Sequence, residues 1–191
     1  ATTIRLMRTS LFIFTDPLRT RCFVKKLIIL GVFFALTLST ALPSSAAAAA
    51  EVNPSTGTIV VLGDSISAAY GIQREQGWVH LLDQHLAAHH PGWRVVNASI
   101  SGETTGGGLA RLRGVLDDHN PKIVIVELGG NDGLRGYPIK KMRNNLLRII
   151  DTAQAQGAAT LLAEMQIPPN YGRRYTKEFT ESFGEVARQS N

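Results

Sequence analysis

The stretch of sequence that decides the fold runs from residue 58 to residue 67 and reads TIVVLGDSIS. Its first five residues are apolar or β-branched and do not alternate with polar ones, which is typical of a strand buried on both faces. Gly63 ends this run, and the pair Asp64 and Ser65 favours a tight turn into the start of a helix. A serine at this place lies at the carboxyl edge of a parallel sheet, where open α/β folds bind their ligands.

Ser65 has two readings from this stretch alone. Backbone N–H groups at the start of a following helix would face any negative charge that develops beside the serine, which suits a nucleophile. The same residues also fit an ordinary strand end at which Asp64 and Ser65 only cap a helix, since serine is common at N-caps. Segments further along the chain decide between these readings.

Apolar runs and amphipathic segments alternate along the rest of the chain. The sequence predicts strands at residues 58–62, 93–98, 122–128 and 158–164, and helices at residues 75–89, 104–118, 139–156 and 175–188. This alternation predicts an α/β fold with a parallel sheet and helices on both faces. Such a sheet normally has a fifth strand and a closing helix, so we expect an incomplete C-terminus and an unpaired edge on the third or fourth strand.

Residues 1–50 form a segment of a different kind. Residues 19–50 resemble a secretory signal, with a charged start, an apolar core at residues 27–42 and small residues after it. A membrane anchor is the alternative, but the apolar core is short for a full span. We expect residues 1–50 to be a leader, residues 51–191 to be the folded domain, and the protein to be periplasmic or secreted.

The positive charge of the chain lies in this leader. The chain has 20 Lys or Arg and 15 Asp or Glu, and residues 1–50 hold six of the bases and one of the acids, which leaves 14 of each in residues 51–191. A neutral domain gives no reason to expect nucleic acid as a partner. The single cysteine, Cys22, also precedes the domain, which therefore has no thiol for a disulfide, a cysteine nucleophile or a thiolate metal site.

Small polar residues follow three of the predicted strands. They are Asp64 and Ser65, Ser101 and Gly102, and Asn131 and Asp132. Because the carboxyl ends of parallel strands meet at one edge, we expect these residues to lie together. Acyl transfer needs a nucleophilic oxygen and donors aimed at the oxyanion. Ser65 can supply the oxygen, and the backbone N–H groups of Ser65 and Gly102 and the side-chain amide of Asn131 can supply the donors. Asp64 and Asp132 could act as acids or bases, but we favour a structural role in which they fix loops.

Four blocks of sequence resemble the SGNH (GDSL) hydrolases, and in particular their bacterial periplasmic thioesterase, lysophospholipase and arylesterase branch. These blocks are GDSIS at residues 63–67, NASISGET at 97–104, ELGGNDGLRG at 127–136 and NYGRRY at 170–175. The resemblance implies a flavodoxin-like three-layer α/β/α sandwich that hydrolyses acyl esters and thioesters without a cofactor or metal. It also implies Ser65 as nucleophile and Gly102 and Asn131 as oxyanion donors.

The resemblance extends to substrate and partners. It implies that the loop at residues 133–138 flanks an acyl groove, and that Asp64, Leu134, Ile167 and Pro168 contribute to substrate binding. The expected partner is a small-molecule acyl ester or thioester, lipids among them, and the protein is expected to be a monomer.

One feature departs from the family. The SGNH hydrolases have a final Asp-x-x-His block that supplies the catalytic base and the residue that orients it, whereas this chain has no Asp after Asp151 and no His after His119. His80, His85, His89 and His90 are predicted on or just after the first helix, away from the catalytic edge. We therefore expect the chain as written to have little or no activity, since positioned acid–base groups typically contribute about 10²–10⁴-fold.

Three other readings remain open. A glycine-rich stretch at residues 101–108 could hold a phosphate at a helix start, which would make the protein a flavodoxin-like mononucleotide binder. The domain could also be a non-catalytic remnant that binds lipid or glycan. His85 and His89 are spaced like zinc ligands, but without further ligands a solvated helix face is the favoured reading.

Overall fold

The computed structural model describes residues 5–6 and 56–190, all of which belong to one unit of the chain. The strands are β1 (Arg5–Leu6), β2 (Gly57–Gly63), β3 (Trp93–Asn97), β4 (Ile123–Glu127) and β5 (Ala159–Glu164). The helices are α1 (Trp78–His89), α2 (Thr105–His119), α3 (Gly130–Leu134), α4 (Ile139–Ala155) and α5 (Arg173–Gln189), with 3-10 turns at Arg74–Gln76 and Pro169–Tyr171. The predicted signal at residues 19–50, including Cys22, lies outside the described residues.

Four parallel strands form the sheet that the sequence predicts. The strand order is β1-β5-β4-β2-β3, and β2 pairs in parallel with β3 on one side and β4 on the other. Numbered by their own order, the parallel strands run 2-1-3-4, which is the flavodoxin-like arrangement. The predicted fold class is therefore confirmed.

The outer edge of β5 differs from the prediction of an unpaired strand. Arg5 and Leu6 form a two-residue antiparallel strand that pairs with Glu164 and Ala163. Sequence reasoning placed residues 1–18 in the leader and overlooked this pairing, because two residues are too few to show a strand pattern.

Each face of the sheet is covered by helices. On β2, Ile59 and Val61 point to one side, where they pack with Ile125 of β4 and the apolar stripe of α1. Leu62, like Val124 and Val126 of β4, points to the other side and packs against α2, α4 and α5. This packing explains why the run at residues 58–62 is apolar at every position: residues on both faces of β2 are buried.

The tight turn that the sequence predicts after β2 is present, but it does not lead directly into a helix. Residues 65–70 form hydrogen-bonded turns, in which the Ala68 N–H donates to the Asp64 carbonyl (2.9 Å) and the Tyr70 N–H to the Ser65 carbonyl (3.0 Å). Ala69 ends this turn in a left-handed conformation with φ of 58°, which interrupts a right-handed helix. Regular α-helix begins only at Trp78, so no helix N-terminus lies directly behind Ser65.

No helix within residues 5–6 and 56–190 is long and apolar enough to cross a membrane.

The contact between α2 and the sheet gives a first testable prediction. A Cβ added at Gly108 would clash with the fully buried Leu128 side chain, whereas one added at Gly114 on the same helix would meet nothing within 4 Å. We expect Gly108→Ala to lower the free energy of unfolding by about 1–2 kcal/mol, because overpacking outweighs the gain in helix propensity.

Gly114→Ala is the matched control and should raise the free energy of unfolding by about 0.5–1 kcal/mol. Urea unfolding of both variants measures the difference. Equal stabilisation by the two substitutions would contradict the close helix–sheet contact.

Candidate active site

The ends of β2 and β4 lie side by side at the point where the strand order reverses. The parallel register places Gly63 opposite Glu127. Ligands of doubly wound sheets bind at such switch points, because the loops leave the two strands in opposite directions and open a crevice. The GDSIS turn and the GGND segment, which follow these strands, therefore meet at one edge as the sequence predicts.

The side chain of Asn131 joins three loops at this edge. Its Nδ2 donates to Asp64 Oδ2 (3.1 Å), next to Ser65, and to the Glu103 carbonyl (2.9 Å), next to Gly102. Since both acceptors are oxygens, the amide nitrogen and not its oxygen faces them. Asn131 thus brings the residues predicted as nucleophile and oxyanion donors to one place.

The backbone N–H groups of Ser65 and Gly102 are the predicted oxyanion donors at this edge. Within residues 56–190, neither the Ser65 N–H nor the Gly102 N–H donates a hydrogen bond, although their neighbours Ile66 and Glu103 do. Gly102 has φ of +80°, a conformation that L side chains rarely adopt, and its carbonyl accepts from Arg135 Nη2 (3.0 Å). The glycine is therefore required by its backbone conformation, because an added Cβ would meet only the Arg135 side chain, at 3.7 Å.

The family model described as GDSL-like Lipase/Acylhydrolase matches residues 61–191. The chain belongs to this family. Esterase TesA of Pseudomonas aeruginosa is 52% identical over 132 residues, which is 69% of this chain and 66% of TesA. Thioesterase 1/protease 1/lysophospholipase L1 of Escherichia coli K12 is 42% identical over 69% of this chain and 62% of its own length.

A solved structure supports the same grouping. The psychrotrophic esterase EstA from Pseudoalteromonas sp., in a structure inhibited by monoethylphosphonate, matches with a TM-score of 0.68 and 51% identity over 70% of this chain and 73% of EstA. The chain spans about two thirds of the length of the curated relatives named above.

The two aspartates of this GDSL-family site fix loops. Asp132 Oδ2 accepts from the Thr105 N–H (2.8 Å) and Oδ1 from the Thr105 hydroxyl (2.7 Å), so a carboxylate stands at the N-terminus of α2. Asp64 is also buried, and its two oxygens accept from the Ile66 N–H (3.0 Å) and from Asn131. These bonds agree with the favoured structural role of both residues, and Asp64 as a substrate contact stays a prediction.

Glu127 is a residue of this site to which sequence reasoning gave no role, although it belongs to a predicted strand and begins the block at residues 127–136. Its side chain is 1% exposed, and its Oε2 accepts from the Ser67 hydroxyl (2.7 Å) and the Asp64 N–H (3.4 Å). Burial, and next the negative charge of Asp64, raise the pKa of Glu127 from 4.5 to about 7, against the hydrogen bonds, which lower it. Burial likewise raises the pKa of Asp64. The sequence signal that could have identified Glu127 is an acidic residue at the end of the apolar strand at residues 123–127.

The predicted substrate residues differ in exposure. Leu134 is 47% exposed, and Pro168 is also exposed, whereas Ile167 is 9% exposed and belongs to the core beside Gly133 and Phe179. The loop at residues 133–138 is held by tyrosine hydroxyls: Tyr171 donates to the Leu134 carbonyl (2.9 Å), and Tyr175 to the Tyr137 carbonyl (2.9 Å). The place of these residues in an acyl groove stays a prediction.

The histidines of α1 differ in their surroundings. His85 and His89 stack on the exposed face of α1, with ring centroids 4.3 Å apart, and residues 56–190 contain no cluster of three metal-binding side chains. His80, however, lines a cavity of about 50 Å³ together with Ser67 and Asn97. This cavity includes none of Ser65, Gly102 and Asn131, so the expectation that the histidines of α1 lie away from the catalytic edge stays a prediction.

The raised pKa of Glu127 predicts how stability depends on pH. Between pH 4.5 and about 7 the folded protein retains a proton that the unfolded chain has lost. The free energy of unfolding should therefore fall as pH rises through this window, by about 3 kcal/mol at most. Glu127→Gln cannot ionise and should remove this part of the profile.

Urea unfolding at pH 5 and pH 8 checks this expectation. Glu181→Gln, at an exposed residue of α5, is the matched control and should keep the wild-type slope. Parallel profiles for the wild type and Glu127→Gln would contradict the shifted pKa.

Proposed function

We propose that this protein is a serine hydrolase of carboxylic esters and acyl thioesters, including lysophospholipids and aryl esters. Ser65 is the nucleophile, and the N–H groups of Ser65 and Gly102 and the amide of Asn131 bind the oxyanion. The relatives named esterase and thioesterase/lysophospholipase support this reaction class. So does family membership across residues 61–191.

The observation that supports the proposal most is the pair of unengaged N–H groups beside the Asn131 amide. Ser65 and Gly102 are only partly buried, so N–H groups that no protein atom accepts can bond to water or to a substrate oxygen there. Donors fixed in advance around a developing negative charge are the largest single source of rate in acyl transfer. The donors belong to residues of two loops that Asn131 links by hydrogen bonds, so their spacing is set before substrate binds.

The proposed reaction proceeds by addition and elimination. The Ser65 oxygen attacks the acyl carbon, the carbonyl oxygen becomes an oxyanion, and the alcohol or thiol leaves once it is protonated. Water then hydrolyses the acyl-serine. Because both N–H bonds of Asn131 are engaged with Asp64 and Glu103, we infer that one of them is redirected or shared when the oxyanion forms.

Proton transfer needs a base that residues 152–191 do not provide, since they contain neither Asp nor His. The SGNH resemblance implies an Asp-x-x-His segment for this task. We propose that Ser65 reaches full activity only with such a segment in place, because unassisted serine is a weak nucleophile.

The remaining features of the proposal concern substrate and compartment. Exposed Leu134 and Pro168 are proposed to contact the acyl chain. We further propose that the protein acts as a monomer on small molecules and not on nucleic acid, and that residues 19–50 direct it to the periplasm or outside the cell.

The decisive experiment compares three proteins in p-nitrophenyl ester hydrolysis: the chain itself, the chain fused after Asn191 to the C-terminal Asp-x-x-His segment of a relative, and this fusion with Ser65→Ala. We expect little activity in the first, activity higher by at least about 10²-fold in the second, and its loss in the third. Full activity of the Ser65→Ala fusion would refute the nucleophile assignment.

Asn131 gives an independent prediction in the same fusion. Asn131→Ala should lower kcat by about 10²–10³-fold, because one oxyanion donor is lost. Asn144→Ala, at an exposed asparagine of α4, is the control and should retain wild-type kcat. An unchanged kcat for Asn131→Ala would remove Asn131 from the oxyanion site.

A further inference from the structure

One oxygen of Glu127 bonds the chain on both sides of Ser65. Glu127 Oε2 accepts from the backbone N–H of Asp64 (3.4 Å), the residue before Ser65, and from the hydroxyl of Ser67 (2.7 Å), two residues after it. The parallel register places Glu127 level with Gly63, so this oxygen lies directly beside the start of the turn. The four-residue segment from Asp64 to Ser67, which contains Ser65, is therefore attached to β4 at both ends.

A further hydrogen bond attaches the same turn to the other neighbouring strand. Asn97, the last residue of β3, donates from Nδ2 to the Ser67 carbonyl (2.7 Å). Ser67 is 1% exposed and has both its hydroxyl and its carbonyl engaged with neighbouring strands. Ser65 itself is only partly buried, whereas Ser67 of the same turn is bonded to β3 and β4.

Burial of the Glu127 side chain costs folding free energy. Within residues 56–190 the second oxygen of Glu127, Oε1, has no hydrogen-bond partner, and the carboxylate of Asp64 lies close enough to raise its pKa further. An unsatisfied buried polar atom costs roughly 1–3 kcal/mol, and an apolar side chain would avoid that cost. Glu127 is thus poorly explained as a stabilising residue, whereas its two bonds to the Ser65 turn have an evident geometric effect.

We propose that Glu127 is a positioning residue, which fixes the direction of the Ser65 hydroxyl by accepting hydrogen bonds from Asp64 and Ser67. The proposal rests on the proposed function, since it concerns the geometry of the same nucleophile. Ser67 acts with Glu127, because the hydrogen bond from its hydroxyl is the shorter of the two that Glu127 Oε2 accepts. A displaced nucleophile slows the chemical step while substrate still binds, so the expected effect is on kcat and not on KM.

The test uses the full chain fused to the Asp-x-x-His segment, with Glu127→Ala, Glu127→Gln and Ser67→Ala. Glu127→Ala and Ser67→Ala should each lower kcat by about 10- to 100-fold, with KM unchanged within about 2-fold. Glu127→Gln retains a carbonyl oxygen that can accept both hydrogen bonds, and its kcat should stay within about 3-fold of the wild type.

Ser182→Ala is the matched control for Ser67→Ala. Ser182 is also a buried serine with an engaged hydroxyl, which donates to the Glu178 carbonyl (2.7 Å) within α5 and not to the site. It should keep wild-type kcat even where urea unfolding shows a loss of stability similar to that of Ser67→Ala. If Glu127→Ala does not fold, Ser67→Ala decides the question.

The outcomes separate this proposal from the proposed function. Wild-type kcat in Ser67→Ala and Glu127→Ala, with an inert Ser65→Ala, would overturn the positioning role and leave Ser65 as nucleophile. A Glu127→Gln variant as slow as Glu127→Ala would also overturn it, because the accepting oxygen would then not be what matters. An active Ser65→Ala would refute the proposed function itself.

Discussion

The hydrogen bonds of the Asn131 amide are the constraint on which the site depends. A single nitrogen donates to Asp64 and to the Glu103 carbonyl, and so ties the turn after β2, the loop after β3 and the start of α3 to one another. Other hydrogen bonds also hold these loops, such as that from Arg135 to the Gly102 carbonyl, but the Asn131 amide is the group that bonds to both of the other loops. Backbone donors in flexible loops would have to be ordered during the reaction, which is the cost that preorganised sites avoid.

Beneath this network lies a second one, built from buried acids. Asp64 and Glu127 are both nearly inaccessible, and burial raises the pKa of each. The negative charge of Asp64 further raises the pKa of Glu127. Apolar residues of matching size would spare the fold this electrostatic cost. Acids that weaken the fold while they hold a turn in place are typical of functional sites, where geometry is maintained at the expense of stability.

The relation between fold and site follows from the strand order. β2 and β4 are neighbours although β3 lies between them in sequence, and this crossover opens the crevice at which Ser65 and Asn131 meet. The clusters of apolar side chains on both faces of the sheet hold the ends of β2 and β4 at the same level. The core thus aligns the ends of β2 and β4, and the polar contacts determine how the loops that follow them are spaced.

How much of the structure the sequence predicts depends on how far apart in the chain the interacting residues lie. The parallel sheet, the main helices and the gathering of Ser65, Gly102 and Asn131 followed from apolar runs and from polar residues at strand ends. The tight turn after β2 was predicted, but the helix start expected directly after it was wrong, because the left-handed Ala69 has no sequence signal comparable to a glycine. The pairing of Arg5 and Leu6 with β5 was missed for a different reason, since two residues show no period.

What the sequence by itself determined is the order of strands and helices and the chemical types at the strand ends, because burial on a sheet imposes a local pattern on side chains. The tertiary structure alone decided which of those polar groups are engaged. Asn131 bridges two loops, Asp64 and Asp132 hold backbone, and Glu127 anchors the Ser65 turn, while the N–H groups of Ser65 and Gly102 find no acceptor among residues 56–190. Apart from the bond between Asp64 and the Ile66 N–H, these assignments depend on contacts between residues 27 to 67 positions apart in the chain, which a local sequence pattern does not specify.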